Sequence, residues 1–216
     1  HNRSEWVLLQ FATARIGLIL VTLNPSYRSS EVDYALQQSG VKYLFSNIQF
    51  KSSNYKEIIA EVYNNCIDLE RVIYFDEDWD AFLNQGINVT DDQLAQLEHL
   101  VQFDDPVNIQ YTSGTTGFPK GATLTHHNIL NNGFFIGERL HYTSIDKVCI
   151  PVPFYHCFGM VIGNIACVTH GATIVIPSAS FSPADTLNAV QQERCTSLYG
   201  VPTMFISMLQ HKDFAK

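Results

Sequence analysis

Tyr111-Thr112-Ser113-Gly114-Thr115-Thr116-Gly117-Phe118-Pro119-Lys120-Gly121 follows a strand-like run, Val107 to Tyr111, and precedes a helical one, His126 to Leu140. Its three glycines permit positive φ and close backbone approach to a ligand. Thr112, Ser113, Thr115 and Thr116 add hydroxyl donors, and Lys120 adds a point charge. Backbone N–H groups, hydroxyls and an ammonium converging on one loop suit a polyphosphate. Lys120 is the only charged residue from Pro106 to Gly137, so carboxylates are kept out of this stretch. The bland alternative, a Gly/Ser/Thr surface loop, does not explain why residue types, order and flanks all agree.

Two better-known loops are excluded. The P-loop of the common NTPases needs GxxxxGK[ST], and Pro119 and Gly121 flank the lysine here. The dinucleotide fingerprint needs G-x-G-x-x-G with an acid about 20 residues on.

Outward from the loop, strand and helix signals alternate. A helix is expected from Ser4 to about Ala14, closed by Gly17, followed by an apolar strand at Leu18 to Leu23. Ser30 begins a second helix ended by Gly40. Strands at Val41 to Phe45 and Arg71 to Phe75 flank a helix at Tyr55 to Tyr63. Beyond the loop come strands at Val148 to Val152, Thr173 to Ile176 and Ser197 to Tyr199. Helices fall at Phe158 to Val168, Pro183 to Arg194 and Pro202 to Gln210. Such alternation predicts a doubly wound parallel α/β sheet in two lobes, residues 1–105 and 106–216.

The 216 residues carry a net charge of −8, and the acid is concentrated. Asp68 to Asp105 holds 11 acidic residues against Arg71, leaving +2 for the rest. This stretch reads as a solvated excursion, loop-like at Gly86 to Asp92, with a partner-binding patch as the alternative. No basic stripe supports nucleic-acid binding. Charged residues are 16%, below the usual figure of about 25%, which suggests surfaces covered by something else. Val148 to Ala184 is free of Asp, Glu, Lys and Arg, but prolines and glycines break it below the roughly 18 residues of a transmembrane segment. A buried strand–helix–strand passage is expected there. Five cysteines without CxxC spacing favour a reducing compartment and no structural metal.

The loop resembles the phosphate-binding signature of the adenylate-forming enzymes: acyl-CoA synthetases, luciferases and peptide-synthetase adenylation domains. Tyr111 to Gly121 matches at essentially every position, and Ala122 to Asn128 is similar to the strand and helix entry that follow. Leu23 to Arg28 resembles the family's NPxY turn, Pro151 to Gly159 its next motif, and Tyr199 to Met204 the segment lining its acyl pocket. His156 and the absence of acid between Lys147 and Asp185 are most similar to short- to medium-chain fatty acyl-CoA synthetases rather than amino-acid-activating domains.

The resemblance implies two incomplete Rossmann-like lobes of an acyl-CoA synthetase N-terminal domain. It also implies a ligase that converts a fatty acid and ATP to acyl-AMP, then transfers the acyl group to coenzyme A. Thr112, Ser113, Gly114, Thr115, Thr116, Gly117, Phe118, Pro119 and Lys120 would contact ATP phosphates. His156, Val201, Pro202 and Thr203 would line the acyl and thiol channel, with Lys120 and His156 as catalytic residues. Mg2+ would accompany ATP, its ligand motif lying outside these residues, as would the ribose aspartate and hinge. The chain is therefore expected to be a fragment, inactive alone. The partners would be small molecules, in the cytoplasm of a bacterium or the mitochondrial matrix of a eukaryote. A non-catalytic nucleotide-binding homologue, or luciferase-like oxidation, is the alternative; oligomeric state and acyl chain length stay open.

Overall fold

The computed structural model describes residues 1–112 and 119–214. The chain divides into two compact units. One is Ala12–Leu124; the other joins His1–Phe11 to Thr125–Lys216. The boundary read from sequence near residue 105 falls inside the first of these.

Helix α1 (Ser4–Arg15) opens the chain, with Ser4 as its first helical residue, and Gly17 turns the backbone at φ +74°. In the Ala12–Leu124 unit, β1 (Leu20–Thr22) precedes α2 (Ser29–Ser39), which begins at Ser29 and ends at left-handed Gly40. Then come β2 (Tyr43–Ser46), the short antiparallel pair β3 (Gln49–Phe50) and β4 (Ser53–Asn54), α3 (Tyr55–Val62) and β5 (Arg71–Tyr74). β2 and β5 pair in parallel. Val32, Leu36, Val62, Cys66 and Leu69 form the core between them and the helices.

The acidic stretch is more ordered than its composition suggests. It forms α4 (Trp79–Asn84) and α5 (Asp91–Glu98), with the turn between them at the residues read as loop. Trp79 and Phe82, three apart on one helix face, pack against Phe45, while Asp80 on the same helix is exposed. Thr90 caps α5 by accepting from Gln93 N–H at 3.2 Å.

β6 (Pro106–Thr112) and β7 (Lys120–Thr125) complete the unit. The sheet order is β1-β6-β7, and β1 and β6 run parallel with Leu20 opposite Asn108 and Thr22 opposite Gln110. Leu18 and Ile19 are exposed, so the apolar run before β1 is not the fully buried strand its composition suggested.

The Thr125–Lys216 unit begins with α6 (His126–Leu140), capped by Thr125. β8 (Lys147–Cys149) leads into an irregular segment with a bend and a turn, then a π-helical stretch, Phe158–Ile165, continuing as α7 (Ala166–His170). β9 (Thr173–Val175), α8 (Pro183–Glu193), β10 (Ser197–Leu198) and α9 (Pro202–Leu209) follow. The sheet order is β10-β8-β9, all parallel. Val148, Ile150, Val152, Phe154, Ala166 and Cys167 form its core. The charge-free stretch is thus the expected buried strand–helix–strand passage. No described helix is long and apolar enough to cross a membrane.

Candidate functional site

The flanks of the glycine-rich loop are set by polar pairing across the first sheet. Buried Gln110 donates from Nε2 to Thr22 Oγ1 at 2.7 Å, and buried Asn108 donates to Leu20 O at 2.6 Å. Each satisfies a polar group that would otherwise be costly inside the sheet. Tyr111 donates its hydroxyl to Ala35 O at 3.1 Å, tying the end of β6 to α2. Burial pushes this phenol above its ordinary range. Gly121 lies so close to β6 that a Cβ would stand 3.0 Å from Ile109 Cγ2.

Thr112 and Lys120 are therefore brought side by side, with Thr112 Oγ1 donating to Lys120 O at 3.4 Å. Both are exposed, Pro119 is half-buried, and Lys120 has no ion pair among the described residues. An exposed ammonium without an ion pair is available to an anion. Ser113, Gly114, Thr115, Thr116, Gly117 and Phe118, also expected to contact phosphate, lie outside the described residues.

The second group of expected residues belongs to the Thr125–Lys216 unit. His156 is exposed at a turn closed by its own N–H on Pro153 O at 3.3 Å. Its Nδ1 accepts from Phe158 N–H at 3.1 Å. The neutral ring therefore carries its proton on Nε2, where it can donate to an oxyanion. Val201, Pro202 and Thr203 are exposed at the start of α9, Val201 in the cap position. Phe158 meets Tyr199 edge-on at 5.6 Å, so the segments carrying His156 and Val201 to Thr203 are joined by a ring contact.

No cysteine competes for a nucleophilic role. All five are free. Burial pushes Cys149 and Cys167 up to about 12 and raises Cys157 as well. These thiols stay protonated near neutral pH. His156 Nδ1 is engaged by the Phe158 amide and not by the neighbouring Cys157.

Gly159 makes the His156 turn sterically strict. A Cβ there would stand 2.4 Å from Pro153 O and 2.7 Å from Pro153 C, both backbone atoms. Gly159→Ala is expected to destabilise this unit by about 1–3 kcal/mol through overpacking, read as a lower urea midpoint. An unchanged midpoint would show that the turn can open without cost.

Sequence reading missed the residues that brace this turn. Asn2 is 5% exposed and spends its side chain on the backbone at Ile150, Val152 and Phe154; Gln10 is 4% exposed and bonds Met160 O. The available signal was Pro151 and Pro153, which lack N–H groups and leave this segment short of donors.

The family follows from comparison with known proteins. The AMP-binding enzyme model matches residues 1–216, and the chain belongs to that family. It is 42% identical to the putative acyl-CoA synthetase YngI of Bacillus subtilis, over 99% of this chain and 42% of that protein. It is 39% identical to the mitochondrial medium-chain acyl-CoA ligase ACSF2 of Danio rerio, over 100% of this chain and 39% of that protein. The fold matches the N-terminal domain of FACL13 from Mycobacterium tuberculosis, with a TM-score of 0.76 at 21% identity, covering 100% of this chain and 51% of that one. The chain spans about two fifths of the length of these curated relatives.

Proposed function

We propose that the chain is the phosphate-binding and acyl-side part of an ATP-dependent fatty acid–CoA ligase. The observation that carries this is the placement of Thr112 and Lys120, adjacent and exposed, in a sequence stretch without acid in a member of the AMP-binding family. Thr112 to Lys120 would hold the β- and γ-phosphates of ATP. The substrate carboxylate attacks the α-phosphorus, the bond to the leaving pyrophosphate breaks, and acyl-AMP forms. The coenzyme A thiol then attacks the acyl carbonyl and AMP leaves. The first step spreads negative charge over phosphate oxygens, so positioned donors matter more than a nucleophilic side chain.

His156, donating from Nε2, would meet the acyl carboxylate, and Val201, Pro202 and Thr203 would line the channel beside it. The charge-free stretch from Val148 to Ala184 suits an apolar acid and gives no carboxylate to clamp an amino group. The similarity to a medium-chain ligase supports a fatty substrate of that class. Mg2+ would accompany ATP, and none of these residues is assigned to it. The bacterial and mitochondrial relatives support the cytoplasm of a bacterium or the mitochondrial matrix of a eukaryote.

The test is ATP–pyrophosphate exchange by the full-length protein with a panel of fatty acids and amino acids. Exchange dependent on a medium-chain acid is expected. Exchange driven by amino acids alone, or none with any acid, would overturn the proposal.

A further inference from the structure

Between Ile150 and Phe154 the chain leaves β8 and runs toward His156 with two amide donors missing, at Pro151 and Pro153. The carbonyls of Ile150 and Val152 and the N–H of Phe154 are left to find partners outside the sheet. One side chain serves all three. Asn2 Nδ2 donates to Val152 O at 2.9 Å and to Ile150 O at 3.4 Å, and Asn2 Oδ1 accepts from Phe154 N–H at 2.8 Å. The amide thus clasps the backbone from Ile150 to Phe154. It is anchored in turn, because Asn2 N–H donates to Ala179 O at 3.0 Å and Trp6 packs on Phe154 at 5.6 Å.

Gln10 holds the other side of the turn. Its Nε2 donates to Met160 O at 3.0 Å in the π-helical stretch, and its Oε1 accepts from Asn164 Nδ2 at 2.9 Å. Asn2, Gln10 and Asn164 are all buried, at 5%, 4% and 0% exposure. Apolar side chains would fill the same volume without the desolvation cost of three primary amides. What the amides add is direction. Asn2 fixes Val152 and Phe154, Gln10 in α1 fixes Met160, and His156 stands between those points in the chain.

We infer that Asn2 and Gln10 are positioning residues that set where His156 stands, an inference resting on the acyl-side role proposed for His156. Neither touches a reacting atom; both act through the backbone on either side of it.

The experiment uses the full-length protein with Asn2→Ala and, separately, Gln10→Met. Steady-state exchange kinetics are measured against ATP and a medium-chain fatty acid, with thermal unfolding and amide hydrogen exchange on the same samples. A displaced catalytic group can cost up to about 100-fold, so kcat is expected to fall about 10- to 100-fold. KM for ATP should hold, because the proposed phosphate contacts stand on β6 and β7 in the other compact unit. In Asn2→Ala the Phe154 amide should exchange faster while Val148 and Ile150 keep their protection. Wild-type kcat in both variants would overturn the inference. So would a kcat loss that appears only together with a raised KM for ATP and a lowered Tm, as general destabilisation gives. If Asn2→Ala does not fold, Gln10→Met decides by the same kinetic criteria. If the wild-type protein catalyses no exchange, the proposed function fails; unchanged Phe154 exchange in Asn2→Ala would then overturn the clasp separately.

Discussion

Lys120→Ala in the full-length protein is expected to slow acid-dependent ATP–pyrophosphate exchange by roughly 10- to 150-fold, because a hydrogen bond to a charged group is worth about 1.5–3 kcal/mol. Lys120 begins β7, exposed, with no ion pair among the described residues, so no structural duty competes with binding an anion. Its surroundings offer no substitute, since it is the only charged residue from Pro106 to Gly137. The stability of the variant should stay within about 0.5 kcal/mol of wild type, as for other exposed positions. That separation gives the test its force: a loss of rate at unchanged Tm places the effect in the phosphate contact. Wild-type exchange rates in the variant would remove Lys120 from the site.

Local chemistry was the legible part of the sequence. The Val107 to Tyr111 run became β6, and glycines 17, 40 and 171 turn the chain at positive φ where helices stop. Ser182 and Pro183 open α8 as their types predict, with Ser182 accepting from Asp185 N–H at 3.3 Å. The loop motif could be recognised because its glycines, hydroxyls and lysine must be contiguous to surround a phosphate. The acidic stretch is solvated as its charge implied, but its helices were hidden because net charge says little about a helix whose anchor is two aromatics, Trp79 and Phe82, three residues apart. The bracing of His156 was hidden for a different reason. Asn2 and Val152 are 150 positions apart, and a side-chain-to-backbone bond over that distance leaves no period in either segment. The π-helical turn was equally silent, because Phe158 to Ile165 has the composition of any buried helix.

The 216 residues expressed alone are expected to make no acyl-CoA, whereas the full-length protein is expected to make it. The chain spans 42% of the length of YngI, and the roles proposed for its residues cover only part of the two half-reactions. Thr112 to Lys120 would hold phosphate, and His156 with Val201 to Thr203 would face the acyl group. The family resemblance assigns adenine, ribose, magnesium and closure over the thiol to later motifs. Phosphate contacts on one wall give at most weak nucleotide binding. Thioester formation needs acyl-AMP and thiol aligned with water excluded, and that alignment accounts for about 7–11 kcal/mol in well-oriented reactions. α9 also leaves Phe205, Ile206 and Leu209 exposed, so circular dichroism and gel filtration must first show a folded, monodisperse sample. The chain is then assayed with ATP, magnesium, coenzyme A and a medium-chain fatty acid. Sustained ATP-dependent thioester formation by the purified 216-residue chain would mean that the catalytic groups already lie within it, and would overturn this division of labour.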